Sequence, residues 1–126
     1  MGLVYAKITL SNPRRPELKS IEISSLVDTD AAMLCLPESV VLQLDLEENG
    51  TRDVSTPDGG SHKVPYVGPV KVNFENRVCF VGAIVMGDEA LLGAVPMEDM
   101  DLVVYPLSQR LAVNPMSPNF PHHKVK

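Results

Sequence analysis

Between Val4 and Leu10 apolar and polar residues alternate without a break, Val4, Ala6, Ile8 and Leu10 on one side and Tyr5, Lys7 and Thr9 on the other. A period of two belongs to a strand buried on one face. The polar stretch Asn12-Pro13-Arg14-Arg15-Pro16 ends it as a loop. A second strand is predicted over about 19–27, through Ile21 and Ile23 to Leu26-Val27, pairing with the first as a hairpin. Pro37-Glu38 opens a short amphipathic helix whose apolar face is Val40, Val41 and Leu44, proline standing at its first position. Asn49-Gly50 predicts a turn, and the polar run 54–63 predicts a tight hairpin with Asp58-Gly59-Gly60 at its tip. Val70, Val72 and Phe74 alternate again, and Glu75-Asn76 turns the chain. The nearly unbroken apolar run Val78 to Met86 predicts a strand buried on both faces.

After the turn Gly87-Asp88-Glu89, Leu91-Leu92-Gly93 ends a short strand. Pro96 to Met100 is a second short helix with proline at its start, and 102–105 and 110–113 are the last strands. Residues 115–126 lack periodicity and are expected to form an extended C-terminal tail beyond a domain of residues 1–114. The expectation is a mainly β fold of about eight short strands and one or two short helices. Strand, tight turn and proline-started helix occur twice, at 21–44 and 90–101, as in a chain with approximate internal symmetry.

A length of 126 residues with 44% hydrophobic residues suits one domain with a real core. The net charge of -5 and the lack of a Lys/Arg cluster argue against a nucleic-acid partner. No apolar run reaches membrane-spanning length, and Met1-Gly2-Leu3-Val4 lacks the features of a secretory signal. Lys7 after Ala6, where Ser or Thr is wanted nearby, also counts against myristoylation. Cys35 and Cys79 each sit in apolar sequence and are expected as free thiols in a reducing, cytoplasmic setting. Neither has a second Cys or His at ligand spacing, so no metal site is expected.

The candidate chemistry lies in Leu26-Val27-Asp28-Thr29-Asp30-Ala31, an acidic turn closing an apolar run. Desolvating a carboxylate at the end of a buried strand is costly, which marks Asp28 as a working residue. Asp88-Glu89 and Glu98-Asp99-Met100-Asp101 read as solvated charges of a turn and a helix, and His62, His122 and His123 as surface residues. No serine stands in a nucleophile-elbow pattern, and no glycine-rich phosphate loop is present.

Leu26-Val27-Asp28-Thr29 with Ala31, then Leu91-Leu92-Gly93, then Leu102-Val103-Val104-Tyr105-Pro106 leading to Arg110-Leu111 resemble the retropepsin-like aspartic peptidases, in the order and spacing of bacterial-type members. The resemblance covers roughly residues 3 to 114. It implies a closed acid-protease barrel working as a homodimer on peptide or unfolded-protein substrates, without a cofactor. Each chain would give one catalytic Asp28, and the Thr29 hydroxyl would bond across the axis to fix the pair. Two carboxylates held close share one proton, so the ionised one activates water and the protonated one polarises the scissile carbonyl. Leu91, Leu92 and Gly93 would pack behind the turn. Asp30 and Ala31, with Asp58, Gly59 and Gly60 in the flap position, would contact substrate.

Asp30 departs from the pattern, for the family has glycine there. A side chain adds bulk where substrate and partner approach, and a dimer would gather four acids instead of two. Three readings follow: a working endopeptidase with Asp30 turned away, a catalytically silent dimeric peptide-binding or scaffold module, or an acidic cation site. The ligand count for the last is poor.

Overall fold

A computed structural model describes residues 2–126. Its strands are β1 (Val4–Ser11), β2 (Ile21–Val27), β3 (Leu34–Leu36), β4 (Glu48–Ser55), β5 (Ser61–Phe74), β6 (Arg77–Val85), β7 (Ala90–Leu92), β8 (Leu102–Tyr105) and β9 (Arg110–Val113). Two short helices, α1 (Glu38–Gln43) and α2 (Ala94–Asp99), complete it.

Seven strands form one sheet in the order β1-β2-β7-β3-β6-β5-β4, and β1 also pairs with β5. That second pairing closes six strands into a barrel and leaves β4 on its outside. The expected hairpin is present, with Val4 opposite Val27 and Leu10 opposite Ile21. Two pairings are parallel, β2 with β7 and β3 with β6. Strands β8 and β9 form a separate two-stranded sheet. The alternation read from sequence appears as burial: Val4, Ile8 and Leu10 are in the core, joined by Leu34, Leu36, Val70, Val72, Leu92 and Met100. Removing a buried leucine from such a cluster costs about 2–5 kcal/mol.

Four local expectations are corrected. Asn49-Gly50 does not turn the chain; it lies inside β4, where the register with β5 slips between Glu48 and Gly50 as a bulge. A glycine signal in a strand fits a bulge as well as a turn. β6 is not buried on both faces, because Val78 and Phe80 are exposed while Arg77 and Cys79 are buried. Pro37 caps α1 rather than opening it, and Pro96 is the third residue of α2, which begins at Ala94 after Gly93.

The segment after β9 has no regular structure, yet it is tied to the body. Asp101 accepts hydrogen bonds from Asn114 Nδ2 (3.1 Å), Ser117 Oγ (2.5 Å) and the His122 amide (2.9 Å). Asn76 Nδ2 donates to the Pro118 carbonyl, and the buried Arg77 guanidinium donates to that of Ser117.

Candidate active site

The Asp28 turn is built by backbone. β2 ends at Val27 beside Leu92, and the Asp28 amide donates to the Leu92 carbonyl at 3.1 Å. The Ala31 amide returns to the Asp28 carbonyl at 3.2 Å. The start of α2 then locks the far side of the turn, with Ala94 N–H to Ala31 O at 2.7 Å and Val95 N–H to Ala32 O at 2.8 Å. Gly93 makes this crossing feasible: a Cβ there would lie 2.4 Å from Met33 O, 2.7 Å from Met33 N and 2.8 Å from Ala31 O. Leu-Leu-Gly is therefore read by space, since any side chain at Gly93 would strike backbone that cannot swing aside.

The Asp28 side chain is half-buried, and its Oδ1 accepts the Asp30 amide at 3.0 Å. This bond fixes one carboxylate oxygen, and Oδ2 has no hydrogen bond among the described residues. Thr29 and Asp30 are exposed and Ala31 is half-buried. The Thr29 hydroxyl likewise has no partner among the described residues. Asp30 is not among the non-glycine residues at positive φ, which are Asp45, Glu75, Asp101 and Gln109. Within one chain the turn therefore accepts a side chain at position 30 without backbone strain.

The predicted hairpin tip is present. Val54 pairs with His62 and Ser55 with Ser61, and Thr56 N–H closes onto Gly60 O at 3.0 Å. Gly59 sits at φ +88°, a conformation that favours glycine. Asp58 Oδ1 takes the Thr56 hydroxyl and, at 2.9 Å, the Gly60 amide. These bonds, the Thr56 hydroxyl first, hold the Asp58 carboxyl below its ordinary range. Its carboxylate thus shapes the tip. Asp28, Thr29, Asp30 and Ala31 share one turn, and no hydrogen bond among the described residues joins Asp58, Gly59 or Gly60 to it.

Strand register adds residues that sequence reading missed. Tyr5 lies opposite Leu26, Leu26 beside Leu91, Leu91 beside Cys35, Cys35 beside Ile84 and Ile84 opposite Tyr66. Neighbours in register share a face, so these six form an uncharged row across six strands, in which Ile84 is buried and the other five are half-buried or exposed. Asp28 stands two residues beyond Leu26, on the same face by strand alternation. Burial pushes the Cys35 thiol up, and the nearby Asp28 charge adds to it. Leu91 was expected behind the turn; it lies in this row, and Leu92 points into the core. Only the parallel β2–β7 and β3–β6 pairings assemble the row, and no local pattern announces them.

Among the described residues no three His, Cys, Asp or Glu side chains gather as a metal site, and no helix is long and apolar enough to cross a membrane.

A closed six-stranded barrel with an outer strand, two short helices and an Asp-Thr turn seated against Leu-Leu-Gly defines the retropepsin-like acid-protease fold. The EIAV protease complexed with the inhibitor HBY-793 superimposes with a TM-score of 0.62 over 82% of this chain and 93% of that chain, at 14% sequence identity. No protein-family model and no curated protein matches the sequence. The likeness is thus one of fold.

Proposed function

We propose that this chain is half of a homodimeric aspartic endopeptidase of the retropepsin type, in a reducing, cytoplasmic setting. The observation that carries the reading is the Asp28 turn itself: a half-buried carboxylate with one oxygen fixed, beside a row of uncharged residues on the neighbouring strands. Asp28 of one copy, ionised, takes a proton from a water whose oxygen attacks the scissile carbonyl carbon. Asp28 of the other, protonated, gives its proton to the carbonyl oxygen. Collapse of the diol moves a proton to the amide nitrogen and breaks the C–N bond, leaving an acid and an amine. Thr29, exposed and unpaired among the described residues, would bond across the axis and hold the carboxylates in place. Ala31 and the tip at Asp58, Gly59 and Gly60 would bound the substrate, closure of the tip excluding water.

Strand β8 supports a place for the partner. Leu102-Val103-Val104-Tyr105 is uncharged, half-buried along its length and, among the described residues, paired only with β9. An uncharged edge strand is a template for another strand, and β8 against its symmetry mate gives a four-stranded sheet.

The exposed Asp30 favours a second reading, a silent dimeric peptide-binding or scaffold module, because it puts extra negative charge and bulk at the mouth of the site. A peptide library across about pH 4 to 7, read by mass spectrometry, separates the two. Cleavage lost in Asp28→Asn is expected for the peptidase. Silence of the parent chain with cleavage appearing in Asp30→Gly would establish the module.

A further inference from the structure

Gly82, Tyr66 and Arg52 are stacked in three layers at one end of the apolar row. A Cβ on Gly82 would lie 2.0 Å from Tyr66 Oη and 2.2 Å from its Cζ, so the ring fills the space that a side chain on β6 would need. The Arg52 guanidinium carbon lies 3.8 Å from the centroid of the same ring. Arg52 makes no salt bridge among the described residues, whereas its neighbour Asp53 on the other face of β4 is paired with Lys63 at 3.0 Å. Together with Met33, Phe80 and Val95 these residues wall a groove of about 460 Å³, in which Arg52 is the one charged residue. Phe80 is 59% exposed there, an apolar surface left uncovered.

From these features we infer that Arg52 is a specificity residue, selecting peptides that carry a carboxylate side chain some way from the residues lying at Asp28. This rests on the reading of the row as a peptide site. Stacking on Tyr66 holds the guanidinium in place without using its N–H fork, which stays free for a bidentate carboxylate. Leu26 and Tyr66 are four strand spacings apart through β7, β3 and β6 and two through β1, which also pairs with β5, about 10–19 Å along the curved sheet at ~4.8 Å each, or roughly three to six residues of extended peptide. The partner is therefore an extended segment with apolar residues along the row and Asp or Glu toward one end. Arg52 supplies the charge complement. No other charged residue walls the groove, so selection within it depends on this one cation.

The test uses short, fluorescently labelled apolar peptides that differ only in one Glu, Gln or Lys toward one end. Binding to the full chain is read by anisotropy in an Asp28→Asn background, which keeps the peptides intact. The Glu peptide is expected to bind about two- to fivefold tighter than the Gln peptide, the advantage shrinking with added salt. Arg52→Gln should erase that difference, and Arg52→Glu should shift preference to Lys. Tyr66→Leu keeps the charge without its platform and should retain only part of the preference. Equal binding of Glu and Gln peptides, or a Glu preference surviving Arg52→Gln, overturns the inference. Cleavage by the parent chain without charge preference would sink this inference and leave the peptidase reading standing. Charge-selective binding without cleavage does the reverse, and failure of every peptide to bind refutes both.

Discussion

Replacing Gly93 by alanine tests the architecture behind the site directly. The added methyl carbon would meet three backbone atoms at 2.4, 2.7 and 2.8 Å, so the crossing of α2 over the 31–33 segment must open. Overpacking of this kind costs about 1–3 kcal/mol. Opening it also weakens the Ala94–Ala31 and Val95–Ala32 hydrogen bonds, at about 0.5–1.5 kcal/mol each. Restricting the unfolded chain returns about 0.4–1 kcal/mol. The expected loss of about 1–6 kcal/mol, centred near ~3, is a large part of a domain's usual ~5–15 kcal/mol, and at that centre it should lower Tm by roughly 10 °C or more. Urea unfolding followed by circular dichroism gives the free energy. Gly59→Ala is the control, since nothing lies within 4 Å of its Cβ and only its φ of +88° is unfavourable; its cost should stay near ~1–2 kcal/mol. If Gly93→Ala melts with the parent chain, or costs less than Gly59→Ala, the close crossing does not constrain the turn.

Asp101 should make stability pH-dependent through the tail. The Ser117 hydroxyl first, then the His122 amide and Asn114, hold its carboxyl well below the ordinary range. A depressed folded pKa contributes stability that is present above the unfolded value of about 3.9 and is lost as pH falls through the folded one. Asp101→Asn should therefore melt below the parent at neutral pH, the gap narrowing in scans below about pH 4; a constant gap would rule out ionisation as its source. Burial, with a smaller effect from Asp99, pushes the Cys79 thiol up to about 12. At pH 8 so little thiolate remains that native alkylation should run about a thousandfold slower than in the unfolded chain, as timed mass spectrometry would show. Val103→Lys puts a charge on the edge strand β8 at a residue outside the core cluster that Leu102 and Val104 join, and should shift sedimentation from dimer to monomer with the fold intact; an unchanged dimer would place the interface elsewhere.

Much of the scaffold was legible in the residues alone. Alternation at 4–10, the hairpin tip at Asp58-Gly59-Gly60 and the Asp28 turn depend on neighbours a few positions apart, and the side-chain period and turn chemistry act at that range. Tertiary structure decided what distant segments do to one another. It made Asn49-Gly50 a bulge, because β5 was already there to pair with. It tied the aperiodic tail to Asp101, a residue that in sequence is one solvated acid among several. Above all it chose the parallel partners of β2 and β3, and so which of Leu91 and Leu92 faces the core. Adjacent leucines are identical to any local rule, but a strand's two faces are not, and only the register across the sheet assigns each leucine to one.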